Sequence, residues 1–195
     1  MLKNNGVIII VLLIVTFFFF PGDICLAADY SWLEDAGWRV AKSEYCTILL
    51  HPDVKIERVN NSIRIRFYSL DKSTFSSQGK TVEKQLAEKI DRIFKKVERV
   101  LDMYPDKINI NLKVFKTQAQ LDEEYAKIFG ENDNMLRISY YIHKYSTIFT
   151  TEQAIREGVV AHEMGHAIAD HYFLVKPAGK IKELLAQYAE IHLEE

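Results

Sequence analysis

At 195 residues the chain is long enough for one domain with its own core and short for two of ordinary size. Its 25 basic and 27 acidic side chains leave a net charge of −2 at pH 7. Both signs are scattered and no basic tract occurs, which argues against a nucleic acid or an anionic membrane surface as the partner.

The chain opens on Lys3, an unbroken apolar run from Gly6 to Phe20, the stop Pro21-Gly22, and small residues at Cys25 to Ala28. This predicts a signal peptide over 1–28 and a protein exported to a periplasmic or extracellular compartment. Membrane contact is expected only if that segment stays uncleaved as an anchor. Residues 29–195 are expected to form one domain, with 29–79 a β-rich N-terminal part. Cleavage removes Cys25 and leaves Cys46 alone, so no intrachain disulfide is expected, and Cys46 reads as a small buried hydrophobe. The tripeptide Asn60 to Ser62 fits a glycosylation acceptor in a eukaryotic secretory pathway.

Further along, 46–51 (CTILLH) and 62–68 (SIRIRFY) read as strands, the second with Ile63, Ile65 and Phe67 alternating against Arg64 and Arg66. A polar connection follows over 71–80. From Thr81 to Tyr104, Leu86, Ile90, Ile93, Val97, Val100 and Leu101 recur at helical spacing, and Pro105 closes the helix. Residues 107–115 alternate as a strand, and 117–130 predict a helix ended by Gly130. Strands at 135–142 and 146–151, joined by His143 to Tyr145, suit a hairpin, although no glycine is present to fix its turn. Two helices complete the chain, 152–174 and 179–194, broken by Pro177 and Gly179. No internal repeat or low-complexity linker interrupts this order, and the fold class expected is α+β, a small mixed sheet packed against long helices.

The penultimate helix carries GVVAHEMGHAIADH, Gly158 to His171. His162 and His166 stand four residues apart, about 400° of helical rotation, so both imidazoles project from one face a single turn apart. Imidazole nitrogen is a ligand that zinc accepts, and two neutral histidines leave the ion seeking a third. Glu163 lies about 100° to the side of that face, where a carboxylate serves as general base without ligating. The flanking Val159, Val160, Ala161, Ala167, Ile168 and Ala169 place the pair on a largely buried helix, where unpaired polar groups are costly. After sixteen intervening residues and the Pro/Gly break comes Glu183, with Glu190 two turns further on the same face. By periodicity alone either acid can supply the third ligand. Asp170, four residues after His166, is a candidate to orient a ligand histidine.

With H-E-x-x-H at 162–166 and a downstream helix placing Glu183, Ala186, Tyr188 and Glu190 in an E-x-x-A-x-Y-x-E pattern, the chain resembles the gluzincins of the peptidase MA clan. Leu184 stands where that clan often has glycine. The resemblance runs from about Lys80 to Glu195 and implies a zincin-like fold, one zinc ion held by His162, His166 and Glu183, and Glu163 as general base. It also implies Glu190 as a partner of a ligand histidine, and hydrolysis of a peptide or protein substrate paired along the strand at 136–142. The second lobe from which such enzymes take an oxyanion donor is not expected here. That role would fall to Tyr140, Tyr141, His143, Tyr145, His171, Tyr188 or a partner. A zincin scaffold that binds without hydrolysing is the alternative expectation.

Overall fold

The computed structural model describes residues 37–65, 79–130 and 136–194. The expected signal peptide, most of the 71–80 connection and residues 66–68 of the expected second strand lie outside them. Among the described residues no helix is long and apolar enough to cross a membrane.

The architecture is mixed α and β. Five strands, β1 (Arg39–Lys42), β2 (Cys46–Leu50), β3 (Ile110–Phe115), β4 (Ser139–Ile142) and β5 (Thr147–Thr151), form one sheet in the order β1-β2-β3-β5-β4. The three central strands are parallel and the two edges antiparallel. Among the described residues five α-helices accompany them: α1 (Ile56–Ser62), α2 (Val82–Leu101), α3 (Gln118–Phe129), α4 (Glu157–Tyr172) and α5 (Gly179–Ile191).

The two-residue period of the strands sorts side chains between two layers. Ile48, Leu50, Ile110, Leu112, Val114 and Ile148 face the main core, which α2 closes with Leu86, Ile90, Ile93, Phe94 and Val97, and α4 with Val160, Met164 and Ile168. Phe115 and Phe149 face the other way and meet Leu121 of α3, Trp38 and Tyr140. As the alternation requires, Tyr141 packs on the main core and Tyr140 on the opposite side. The expected helices and the β4–β5 hairpin are present with shorter limits. Thr81 and Thr117 cap α2 and α3, each accepting from a backbone N–H three residues on. The hairpin turn is a single 3-10 turn, His143–Tyr145, closed by Ser146 at φ 45°. Serine there takes the left-handed conformation that glycine usually supplies.

Four expectations need correction. Residues 62–65 are not a sheet strand: α1 runs to Ser62, and Ile63 is buried beside α2 in an unpaired segment. The spacing of Ile56, Val59 and Ile63 is helical, and burial against α2 outweighed the strand-like alternation that begins at Ile63. β1 was not expected because its RVAK sequence buries only Ala41. Asn60 is buried, with its amide donating to Gln85, so it does not present a glycosylation acceptor. The motif helix begins at Glu157 and not at 152, because Glu152 is held in the preceding turn. Its carboxylate accepts from Lys116 Nζ at 2.7 Å, Lys55 N at 2.8 Å and Arg58 at 3.3 Å.

Candidate metal centre

α4 spends most of its surface on packing. The face that remains, carrying His162 and His166, turns toward α5. The close approach of these helices has a visible cause: a Cβ built on Gly165 would lie 2.9 Å from Ala186 Cα, and 3.5 Å from the Cβ atoms of Ala186 and Ala189. Glycine against alanine is what lets the backbones meet, and this sets Glu183 one turn before Ala186, over the histidine pair.

Glu183 Oε1 lies 3.5 Å from His162 Nε2, and Oε2 lies 3.4 Å from His166 Nε2. The imidazole centroids are 5.0 Å apart with their planes at 77°. One ligating atom from each of His162, His166 and Glu183 can be drawn within 4.8 Å of the other two. The edge of a tetrahedron with 2.0–2.1 Å bonds is about 3.4 Å, and each Nε2 stands about that far from one of the two Glu183 oxygens. Two imidazole nitrogens and a carboxylate oxygen are also the donor types that zinc favours. Electrostatics points the same way. Glu163, Glu183 and Glu190 gather around two histidines, and among the described residues no lysine or arginine pairs with any of the three. A cation there balances a cluster that otherwise repels itself.

Glu190 approaches from below. Its Oε2 accepts from His162 Nδ1 at 3.1 Å, which fixes the ring and leaves Nε2 as the lone-pair nitrogen toward Glu183. Gly158 makes room for it, since a Cβ there would meet Glu190 Oε1 at 3.2 Å. The alternatives left open by periodicity are thus separated: Glu183 reaches both Nε2 atoms, while Glu190 holds the far nitrogen of one ring. Asp170, expected to orient a ligand histidine, instead accepts from Lys182 Nζ at 3.2 Å and stands 3.7 Å from His143 Nδ1. It ties α5 to α4 one residue before Glu183.

Glu163 is only 6% exposed. Burial pushes its carboxyl up to about 7, with the nearby Ser139 hydroxyl, which donates to Phe149 O at 3.1 Å, opposing the effect and the charges of Glu183 and Glu190 adding to it. His166 is held below the ordinary histidine value by burial and by His162, which favours the neutral form that ligates. Sequence reasoning missed Ser139, which β4 brings beside Glu163. The RISYYI pattern marks a strand but not what lies across from it.

Of the residues expected to steady an oxyanion, Tyr140 is excluded, because its ring stacks on Phe149 at 4.9 Å on the far side of the sheet. Tyr141 and His143 lie near Asp170, where His171 Nδ1 also donates to Ala167 O, and Tyr188 stacks on His192. An open groove lined by Gly179, Lys180, Glu183, Leu184 and Gln187 runs along α5 beside the cluster.

No protein-family model matches the chain, and no curated protein and no solved structure matches it. The site's own chemistry therefore carries the functional reading.

Proposed function

We propose that this chain is an exported zinc-dependent peptidase of zincin-like fold. The observation that carries the reading is the division of labour among three glutamates within one small volume. Glu183 stands between the Nε2 atoms of both histidines, Glu190 orients His162 from behind, and Glu163 makes no such contact with either ring and is buried beside them. A purely structural site needs the first two and has no use for the third.

His162, His166 and Glu183 would hold the ion. Zinc bound there supplies a Lewis acid that polarises a scissile carbonyl and acidifies a water molecule. Glu163 takes the proton from the attacking water on a carboxylate oxygen and delivers it to the leaving amide nitrogen. The edge strand β4 runs beside Glu163, and its second edge pairs with no strand among the described residues. An extended peptide substrate adds there as a further strand and passes its backbone across the face of α4.

Elemental analysis of the exported chain is expected to give one zinc per molecule. On a broad peptide library the wild type is expected to cleave, and Glu163→Gln, with zinc still bound, is expected to lose 10²–10⁴-fold or so in turnover. Zinc content with no cleavage by either protein would favour the second reading, a zincin scaffold that binds without hydrolysing. That reading is favoured by one observation: Tyr140, one of the residues expected as an oxyanion donor, lies on the far side of the sheet from the cluster.

A further inference from the structure

Glu183 sits in the least supported part of its helix. The N-cap of α5 is Ala178, which gives no side-chain hydrogen bond, and no acidic residue stands in the first turn. Lys180 and Lys182 instead place cations near the positive end of the helix dipole. Apolar anchoring is missing as well. Of the six residues from Gly179 to Leu184 all are exposed except Lys182, and the buried positions Ala186 and Ala189 begin only beyond Glu183. A helix start with neither a cap nor a buried face frays unless something else holds it.

α4 supplies that hold. Asp170 is 6% exposed, and its Oδ1 accepts from Lys182 Nζ at 3.2 Å, a charge-assisted hydrogen bond from the core helix to the residue beside Glu183. On the other side of Glu183 the close contact is Gly165 against Ala186, one turn on. One such contact leaves a helix free to pivot about it, and a second fixes its direction. The two bracket Glu183, whose oxygens stand 3.5 Å from His162 Nε2 and 3.4 Å from His166 Nε2.

We infer, on the zinc reading of the site, that the Lys182–Asp170 pair positions Glu183 for the metal by holding the first turns of α5 against α4. Neither residue ligates, and both act through the backbone of α5. The sign of the effect separates this role from a purely electrostatic one. Lys182 carries a positive charge beside the proposed cation, so by repulsion alone its removal would tighten zinc binding. Loss of position weakens it.

The test compares the exported wild-type chain with Lys182→Met, Lys182→Arg, and Lys182→Met combined with Asp170→Asn. The double variant keeps the net charge of the pair at zero and leaves no unpaired buried charge, so it is expected to fold even where the single variant does not. Competition with a chromophoric chelator is expected to show zinc weakened by about 10–100-fold in Lys182→Met and in the double variant, and restored by Lys182→Arg. In the metal-free proteins, amide hydrogen exchange over 179–184 is expected to quicken in the double variant while α4 keeps its wild-type rates. Wild-type zinc affinity in the double variant, tighter binding by Lys182→Met, or unchanged exchange over 179–184 overturns the inference while leaving the zinc site standing. A wild type that takes up no zinc refutes the zinc reading itself, and the inference with it.

Discussion

Gly165→Ala probes how closely the metal centre depends on backbone contact. The added methyl would stand 2.9 Å from Ala186 Cα, and ordinary contact begins near 3.4 Å, so α5 must retreat by about 0.5 Å. Folding stability should change little, because alanine gains about 1 kcal/mol over glycine in a helix interior while overpacking costs about 1–3 kcal/mol. Ligation should change more. Glu183 is one turn from Ala186 and moves with it, and a shift of about 0.5 Å exceeds the roughly 0.2 Å that ligand distances tolerate. We expect zinc affinity to fall on the order of 10–100-fold, as when a group supporting a ligand is lost, with the metal-free protein within about 2 kcal/mol of wild type. Competition with a chromophoric chelator measures the first quantity and urea denaturation the second. Wild-type affinity in Gly165→Ala would show that Glu183 does not depend on this contact, and the account of helix approach would be wrong.

Glu190→Ala removes the acceptor of His162 Nδ1, and the same chelator assay should report zinc weakened by about 10–100-fold, with ligation retained at saturating metal. Glu163→Gln should alter the pH dependence of metal-free stability. The wild-type carboxyl rises from 4.5 to about 7 on folding, so the folded state retains a proton that the unfolded chain has lost. That stabilisation is complete below about 4.5 and vanishes as pH rises through about 7. Glutamine removes this slope, and at pH 8 the metal-free variant should exceed wild type by roughly 3 kcal/mol in urea denaturation. Equal slopes for the two proteins would mean that Glu163 is hydrated. Away from the site, Glu124→Gln exchanges the carboxylate 2.8 Å from fully buried Lys113 for a neutral amide that still accepts, and should cost about 1–3 kcal/mol by thermal or urea denaturation.

The elements that the sequence made legible are those whose burial is one-sided and long. α2 shows its apolar face over five turns, and α4 and α5 are delimited by Pro177, Gly179 and an apolar stretch interrupted only by the motif. The parts that escaped are short or depend on a distant neighbour. β1 is four residues with one buried side chain, and α1 combines helical spacing with an Asn-Asn pair that reads as a turn. Lys113 illustrates the second case. On an alternating strand a lysine is expected to face solvent, but this one lies beneath α3 and over Trp38 because Glu124 arrives to pair with it. In the site, the spacing of His162, Glu163 and His166 on one helix was sufficient to place them. Periodicity left Glu183 and Glu190 open and only the gluzincin resemblance favoured Glu183; the geometry that separates them follows from the close approach of Gly165 to Ala186 and Ala189, whose small size is plain in the sequence but whose meeting is not. Asp170 had the spacing of a histidine partner, and Lys182 took it instead.

In the proposed site Glu183 ligates, Glu190 supports a ligand and Glu163 does neither. Zinc per chain, measured by elemental analysis after dialysis against a weak chelator, tests it in three variants at once. Glu183→Ala is expected to be essentially empty, Glu190→Ala partly filled, and Glu163→Gln as full as wild type. A filled Glu183→Ala beside an empty Glu190→Ala would contradict it and move the third ligand two helical turns along α5.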